Sequence, residues 1–140
     1  MAVFVPVSVG EAMDKLTILQ IKSERIHDAE KLKNISNEIS ALEPVCSAEA
    51  FQTDIIKELY AQLKRVNEEL WQIEDDIREK EASQHFDDEF IALARSVYVT
   101  NDKRAEIKKQ INLEAGSDLV EEKSYQDYSA QQPSSQGPVS

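Results

Sequence analysis

Several polar and charged side chains recur at helical spacing in the second half of the chain, on a face where apolar residues would normally meet a core. At 100° per residue, Asn101, Arg104 and Lys108 lie within about 40° of the apolar stripe that includes Val97. Guanidinium and ammonium groups beside an amide can hold a phosphate or a carboxylate. The pattern therefore indicates a site for an anionic small molecule. Its predicted members are Arg95, Arg104 and Lys108 as cationic clamps, Asn101 as an orienting group, and Trp71 or Tyr98 as a stacking ring.

A second polar stripe lies on the preceding helical segment, roughly 40 to 100° round from its apolar seam. Its members are Tyr60, Asn67, Trp71, Glu74 and Arg78. The first helical segment adds Asp14 and Arg25, and we expect these groups to meet. Two interpretations fit them. They either pair between helices and fix the register of the bundle, or they line a cleft that binds a sugar phosphate, a nucleotide or a carboxylate.

Catalytic and metal chemistry has less support in the sequence. The carboxylates between Glu68 and Asp75 resemble in type, but not in spacing, those of helical enzymes that hold Mg²⁺. His85 stands beside aspartates typical of a helix start, and Cys46 has no adjacent base or cation to activate it. No glycine-rich phosphate loop or nucleophile elbow occurs. We therefore predict no metal and no cofactor, and favour a protein that is not an enzyme.

The elements that must position these residues are all predicted to be helices. Ser8 and Glu11 have the spacing of a capping box, and the apolar rhythm slips near residue 28, where Asp28 can cap a fresh helix after a kink or short break. Pro44 predicts a turn, and Gly116 closes the last helix. The predicted helices span about 9–42, 48–83 and 88–115.

The clearest apolar pattern lies in the predicted second helix, where residues alternate at three- and four-residue steps. They are Ile56, Leu59, Leu63, Val66, Leu70, Ile73 and Ile77. We predict an all-α fold: an antiparallel bundle of three long helices with coiled-coil-like packing and a short extended N-terminal arm. The first helix is apolar on two sides, with Leu16 and Leu19 on one and Ile18 and Ile21 on the other. Since one hairpin cannot cover so much apolar surface, we expect a homodimer.

Composition narrows the class of protein. The 140 residues fit one domain, predicted at 1–128, and the Ser-, Gln- and Pro-rich residues 129–140 predict a disordered tail. With 27 acidic and 16 basic residues the net charge is −11, which argues against nucleic-acid binding. Residues 2–9 are apolar but far shorter than the ~20 residues that cross a bilayer, and the single cysteine fits a reducing compartment. We predict a cytoplasmic protein without a membrane span.

Four strings of the sequence resemble those of an uncharacterised family of short bacterial and phage proteins, a domain of unknown function. They are Val9–Leu19, Leu70–Asp75, Leu93–Arg104 and Glu121–Tyr125. The resemblance spans residues 5–128, implies no known activity and carries over no catalytic residue. It also directs attention to residues 123–125. If the C-terminal segment folds back, they would close a cleft at Asn101 and Arg104; the simpler expectation is that Tyr125 packs against the first helix.

For function, the sequence favours a non-enzymatic helical scaffold or adaptor with a protein partner. The rival is the site for an anionic small molecule, with or without catalysis. The two differ in whether the polar stripes pair among themselves or face an open cleft.

Overall fold

The computed structural model describes residues 1–128, so the tail predicted at 129–140 lies outside the described residues. Within the described part every regular element is helical. The elements are α1 (Val9–Arg25), α2 (Ala29–Cys46), a 3-10 turn (Glu49–Phe51), α3 (Asp54–Ala82) and α4 (Asp88–Ala115). The all-α class is confirmed, but four α-helices form here and not the three long helices predicted.

The predicted first helix is two helices. Ile26 has an extended backbone, and Asp28 begins α2 by accepting from the backbone N–H of Lys31 at 2.9 Å. An extended residue ends the i to i+4 ladder, so the chain reverses at this point. The helix α2 packs back on α1, where Lys15 and Glu38 lie 3.5 Å apart. The phase slip near residue 28 is therefore a complete break and not a kink.

The turn predicted at Pro44 lies three residues later, at Ser47, because α2 continues through that proline to Cys46. A proline inside a helix removes one backbone hydrogen bond, but this last turn carries Cys46 into the core, where only 7% of it is exposed. Ser47 does not cap the next helix, since its hydroxyl donates back to the carbonyl of Glu43. Thr53 caps α3 instead, by accepting from the backbone N–H of Ile56.

The helix α1 lies at the centre of the fold and packs against each of the other three. Its first turns are bonded to Lys108 and Asn112 of α4, and its last turn reaches Lys64 and Trp71 of α3, so it crosses the α3–α4 hairpin. Both apolar sides of α1 are therefore largely covered within one chain. The apolar core comprises Ala12, Met13, Leu16, Cys46, Ile56, Leu59, Leu63, Val66, Ile107 and Ile111.

The hairpin of α3 and α4 extends beyond α1. The predicted seam of α3 is buried from Ile56 to Val66, but Leu70, Ile73 and Ile77 are only half-buried. The N-terminal arm, residues 1–7, has no regular structure and is exposed. No helix in the described residues has the length and apolar character needed to cross a membrane. The packed apolar core therefore occupies one half of the hairpin, and Tyr60, Asn67 and Lys108 of the polar stripes lie beside it.

Candidate functional site

A buried carboxylate on α1 organises the polar stripes. Asp14 is 1% exposed, and Arg104 of α4 donates to both of its oxygens, with the Nε–Oδ1 pair at 2.9 Å. Asn67 of α3 donates its amide to the same Oδ1 at 2.9 Å and to the hydroxyl of Thr17 at 2.7 Å. That hydroxyl donates to the carbonyl of Asp14. One carboxylate thus joins three helices, as expected for a bidentate pair that fixes both distance and orientation.

Lys108 is the second hub. Its ammonium lies 2.6 Å from Glu11, 3.2 Å from Glu121 and 3.8 Å from Asp14, and its side chain is 9% exposed. The side chain of Glu11, predicted to reach back to its own helix start, therefore extends to α4. Three carboxylates around one ammonium compensate the loss of its hydration.

The pKa directions agree with this geometry. Burial lowers the pKa of Lys108, but its hydrogen bond to Glu11 and the charge of Asp14 outweigh burial and leave the pKa above its usual value. The hydrogen bond to Asp14 is the main reason that the pKa of Arg104 is also raised, against an opposing effect of burial. Both cations therefore stay charged at neutral pH.

A close helix contact holds α1 in this position. The backbone N–H of Gly10 donates to the side-chain oxygen of Asn112 at 2.6 Å, and that asparagine is 2% exposed. A Cβ atom on Gly10 would lie 2.5 Å from the carbonyl oxygen of Lys108. Ser117 accepts from the backbone N–H of Val9 at 3.3 Å. The first turn of α1 is thus fastened to the end of α4, which sets the depth at which Glu11 and Asp14 enter.

Residues 117–128, called here the C-terminal strap, fold back along α4. Glu121 contacts Lys108, Lys123 pairs with Asp102, and Tyr128 packs edge-on against Tyr98 with ring centroids 5.2 Å apart. The strap therefore runs antiparallel to α4. Between them lies an open cleft of about 810 Å³. Its lining residues include Tyr98, Asn101, Asp102, Arg104, Lys108, Glu121, Glu122, Lys123, Ser124 and Tyr125.

The walls of this cleft combine aromatic and charged groups. Three of the four tyrosines of the chain, Tyr98, Tyr125 and Tyr128, line it. Tyr125 does not pack into the fold, since 84% of it is exposed. Tyrosine rings give a ligand a flat apolar surface and a polar hydroxyl at low entropic cost. The cleft is thus equipped to hold a polar molecule that carries a ring or another planar part.

A second cavity of about 410 Å³ lies on the other side of Asn101 and Arg104. Ile18 and Ile21 of α1 close one end, and α3 supplies Asn67, Leu70, Trp71, Glu74 and Asp75. The guanidinium of Arg25 lies 5.8 Å from the ring centroid of Trp71, a cation–π distance. Asn101 and Arg104 therefore separate two cavities of different character, one rich in tyrosine and one walled by isoleucine and tryptophan.

The predicted site residues divide into three groups. Asn67, Arg104 and Lys108 meet at Asp14, and Asn101, Arg104, Lys108 and Tyr98 line the cleft. Trp71 and Glu74 line the second cavity. Two cations lie elsewhere: Arg78 pairs with Glu74 on the exposed face of α3, and the Nε of Arg95 is 3.4 Å from the hydroxyl of Tyr98 on the exposed face of α4. The cationic clamp expected from Arg95, Arg104 and Lys108 is therefore not assembled around one point.

Four residues of the polar network around Asp14, Lys108 and Gly10 are not predicted from the sequence. Thr17 and Asn112 resemble ordinary polar helix residues, and their only signal is a place on the buried face of an otherwise apolar turn. Glu11 was interpreted as part of a capping box alone. Glu121 follows the last helix, where no periodicity indicates which way a side chain points.

In the described residues, no group of three or more His, Cys, Asp or Glu side chains has the geometry of a metal site.

Comparison with known proteins gives a family and no function. The chain matches the model of a family of unknown function, DUF6165, over residues 3–138. No curated protein and no solved structure matches it. The match includes all four helices and the C-terminal strap, so the polar cluster and the cleft lie inside the region that defines the family. The chain therefore belongs to the family of unknown function DUF6165.

Proposed function

We propose that this protein binds a small polar ligand in the cleft between α4 and the C-terminal strap. The proposal rests on the position of two of the four sequence strings that resemble the uncharacterised family, because both border the cleft. Ten of the residues lining the cleft come from two of them, Leu93–Arg104 and Glu121–Tyr125. Residues 105–120 separate the two strings, and the strap lays the second beside the first along one open space, which packing alone would not require.

The chemistry of the cleft supports a ligand with polar and ring-like parts. Its volume, about 810 Å³, falls in the range of small-molecule sites. Arg104, Lys108 and Lys123 bring positive charge to the cleft, each within an ion pair, Asp102 and Glu122 bring acceptors, and the tyrosines offer stacking surfaces. The buried network below fixes Arg104 and Lys108 in place, and such preorganisation lowers the entropic cost of binding. The register-fixing and ligand-binding interpretations are therefore compatible, since one network serves both.

Binding without catalysis is the better supported form of this proposal. Both histidines of the chain lie elsewhere, His27 between α1 and α2 and His85 in the α3–α4 turn. Arg104 and Lys108 have raised pKa values and stay charged, so neither is poised to exchange a proton near pH 7. The cleft thus offers recognition groups in place of an acid–base pair.

A thermal-shift screen tests the proposal. The panel contains nucleotides, sugar nucleotides, sugar phosphates and simple carboxylates, and a ligand at one hundred times its dissociation constant adds ~2.7 kcal/mol of stability. We expect at least one class to raise the melting temperature of the wild type. Tyr125→Ala should remove most of the shift, because this exposed ring borders the cleft and supports no core.

The matched control is Phe86→Ala, which removes a half-exposed ring at the hairpin turn, away from the cleft. It should retain the full ligand shift. A panel without any shift, or a shift that survives Tyr125→Ala unchanged, would refute ligand binding in the cleft.

A second candidate function, a protein adaptor, rests on the outer half of the α3–α4 hairpin. Residues 68–95 carry ten acidic and three basic side chains, a net −7 of the chain's −11. The second cavity opens here with an apolar wall of Ile18, Ile21 and Trp71 and with Glu74 and Asp75 at its edge. We propose that this surface binds a basic amphipathic helix of a partner protein. The apolar groove would contact the apolar face of that helix, and the acidic edge would contact its basic face.

The single tryptophan makes this second candidate testable, because Trp71 lies in the groove. A synthetic Leu/Lys amphipathic helix should change the Trp71 fluorescence with saturation, and Glu74→Lys with Asp75→Lys should weaken the effect at least tenfold. A scrambled peptide of the same composition is the control. Light scattering on the same samples tests the predicted homodimer: a dimeric mass that the peptide leaves unchanged, with no fluorescence response, would assign the surface to a second copy.

A further inference from the structure

The three carboxylates around Lys108 are not equivalent. Glu11 and Asp14 project from α1, where the Gly10 contact fixes their depth, and Asp14 is also held by Arg104 and Asn67. Glu121 comes from the non-helical strap, lies 3.2 Å from the ammonium, and its side chain is 58% exposed. It is therefore the partner of Lys108 that water reaches most easily, and it approaches from the side of the cleft.

We propose that Glu121 occupies the position of a ligand's anionic group, a phosphate or a carboxylate, which takes its place on Lys108 when the cleft is filled. The inference rests on the proposed function and specifies which part of the ligand binds where. Glu121 then acts as an internal substitute that fills the cleft-facing position beside Lys108 when no ligand is present. The rest of the ligand would extend along the tyrosines.

Charge balance supports an exchange over a simple addition. Arg104 and Lys108 supply two positive charges, and Asp14, Glu11 and Glu121 supply three negative ones. An anion added to this set would meet an existing negative excess. If the Glu121 side chain first turns away from Lys108, the two positive and two negative charges that remain balance. One singly charged anionic group then restores the net charge that the cluster has without a ligand. The cluster thus accommodates one exchangeable negative charge at this point, and Glu121 already shows where it lies.

The exchange requires little of the fold. Beside the cleft the strap is also attached by the pair of Lys123 with Asp102 and by the contact of Tyr128 with Tyr98, and neither of these involves Glu121. Because the Glu121 side chain is largely exposed, its rotation into water frees Lys108 without unfolding the strap. An ammonium acts as a point charge without a fixed fork geometry, so it can accept a phosphate or a carboxylate in the vacated position.

The test compares anion affinities of the wild type, Glu121→Gln and Asp118→Asn. Calorimetric titrations with inorganic phosphate and with malonate, at constant ionic strength, show which anion class is preferred. The Glu121→Gln variant removes the internal competitor and should bind the preferred anion about two- to fivefold tighter, the factor that corresponds to the energy of an exposed ion pair. Asp118→Asn removes the same charge from an exposed strap residue that does not line the cleft, and its affinity should stay near that of the wild type.

Other outcomes overturn the inference in distinguishable ways. If Glu121→Gln binds no tighter than the wild type, or if Asp118→Asn tightens binding equally, the effect is not exchange on Lys108. In that case a panel compound whose thermal shift is lost in Tyr125→Ala would still uphold ligand binding in the cleft. If neither probe nor any panel compound binds wild type or Glu121→Gln, the inference and the proposed function fail together.

Discussion

Replacing Asp14 by leucine is expected to destabilise the fold by about 3–5 kcal/mol, the cost of breaking a buried ion pair from one side. The substitution removes the bidentate partner of Arg104 and a bond from Asn67. It leaves a guanidinium that is only 29% exposed without its carboxylate. We expect the lower half of that range, because the exposed part of Arg104 can recover some hydration. Urea unfolding followed by circular dichroism measures the change.

A double-mutant cycle separates the charge effect from packing. Arg104→Met alone leaves Asp14 buried with fewer donors and should also destabilise the protein. The double variant removes both charges and keeps similar shapes, so it should be more stable than Asp14→Leu alone, with a coupling energy of about 1–3 kcal/mol. Additive losses would contradict the claim that these two residues act as one buried pair.

The faces of the helices could be predicted, but the partners could not. The stripe of Asn101, Arg104 and Lys108 follows from the helical repeat, and so does the expectation that Asp14 and Asn67 would join it. Pairing depends on how α1 crosses the hairpin. That crossing is set by side-chain packing over distances of ninety residues and more in the chain, and a local repeat contains no information about it.

Helix boundaries show the same division between local and tertiary causes. Asp87 and Gly116 are local signals, and the structure has both as the caps of α4, with Gly116 at φ 64°. Pro44 is also a local signal, but it is overruled because burial of Cys46 favours another helical turn. The backbone hydrogen bond lost at Pro44 is a local cost within α2. The packing of Cys46 that offsets it involves core residues on α3.

The site was only partly accessible to sequence reasoning. The helical repeat predicts the faces of Asn101, Arg104 and Lys108, which line the cleft, whereas Arg95 and Arg78 lie on the exposed sides of their helices and do not line it. The resemblance strings add what periodicity cannot, because they direct attention to residues 123–125, which follow the last helix and border the cleft. The strap carries Glu121, and its path along α4 is fixed by pairs such as Lys123 with Asp102.

The second large effect is expected at Gly10, where alanine should destabilise the protein by about 2–4 kcal/mol. Alanine normally favours a helix over glycine by roughly 0.5–1 kcal/mol, so the sign of the effect is diagnostic. The added Cβ would lie 2.5 Å from the backbone oxygen of Lys108, which cannot rotate away. The first turn of α1 must therefore lift from α4. Overpacking costs about 1–3 kcal/mol, and the loss of a partner for the buried Asn112 adds roughly 1–3 kcal/mol.

Gly116→Ala is the matched control, because nothing lies within 4 Å of a Cβ at that position and only its left-handed backbone, φ 64°, opposes the change. It should cost about 1 kcal/mol, the strain of that conformation. Chemical denaturation of both variants measures the difference. A Gly10→Ala protein as stable as the wild type would mean that α1 can shift along α4 freely. Glu11 and Asp14 would then not be held at a fixed depth, and Glu121 would no longer differ from them as the exchangeable carboxylate on Lys108.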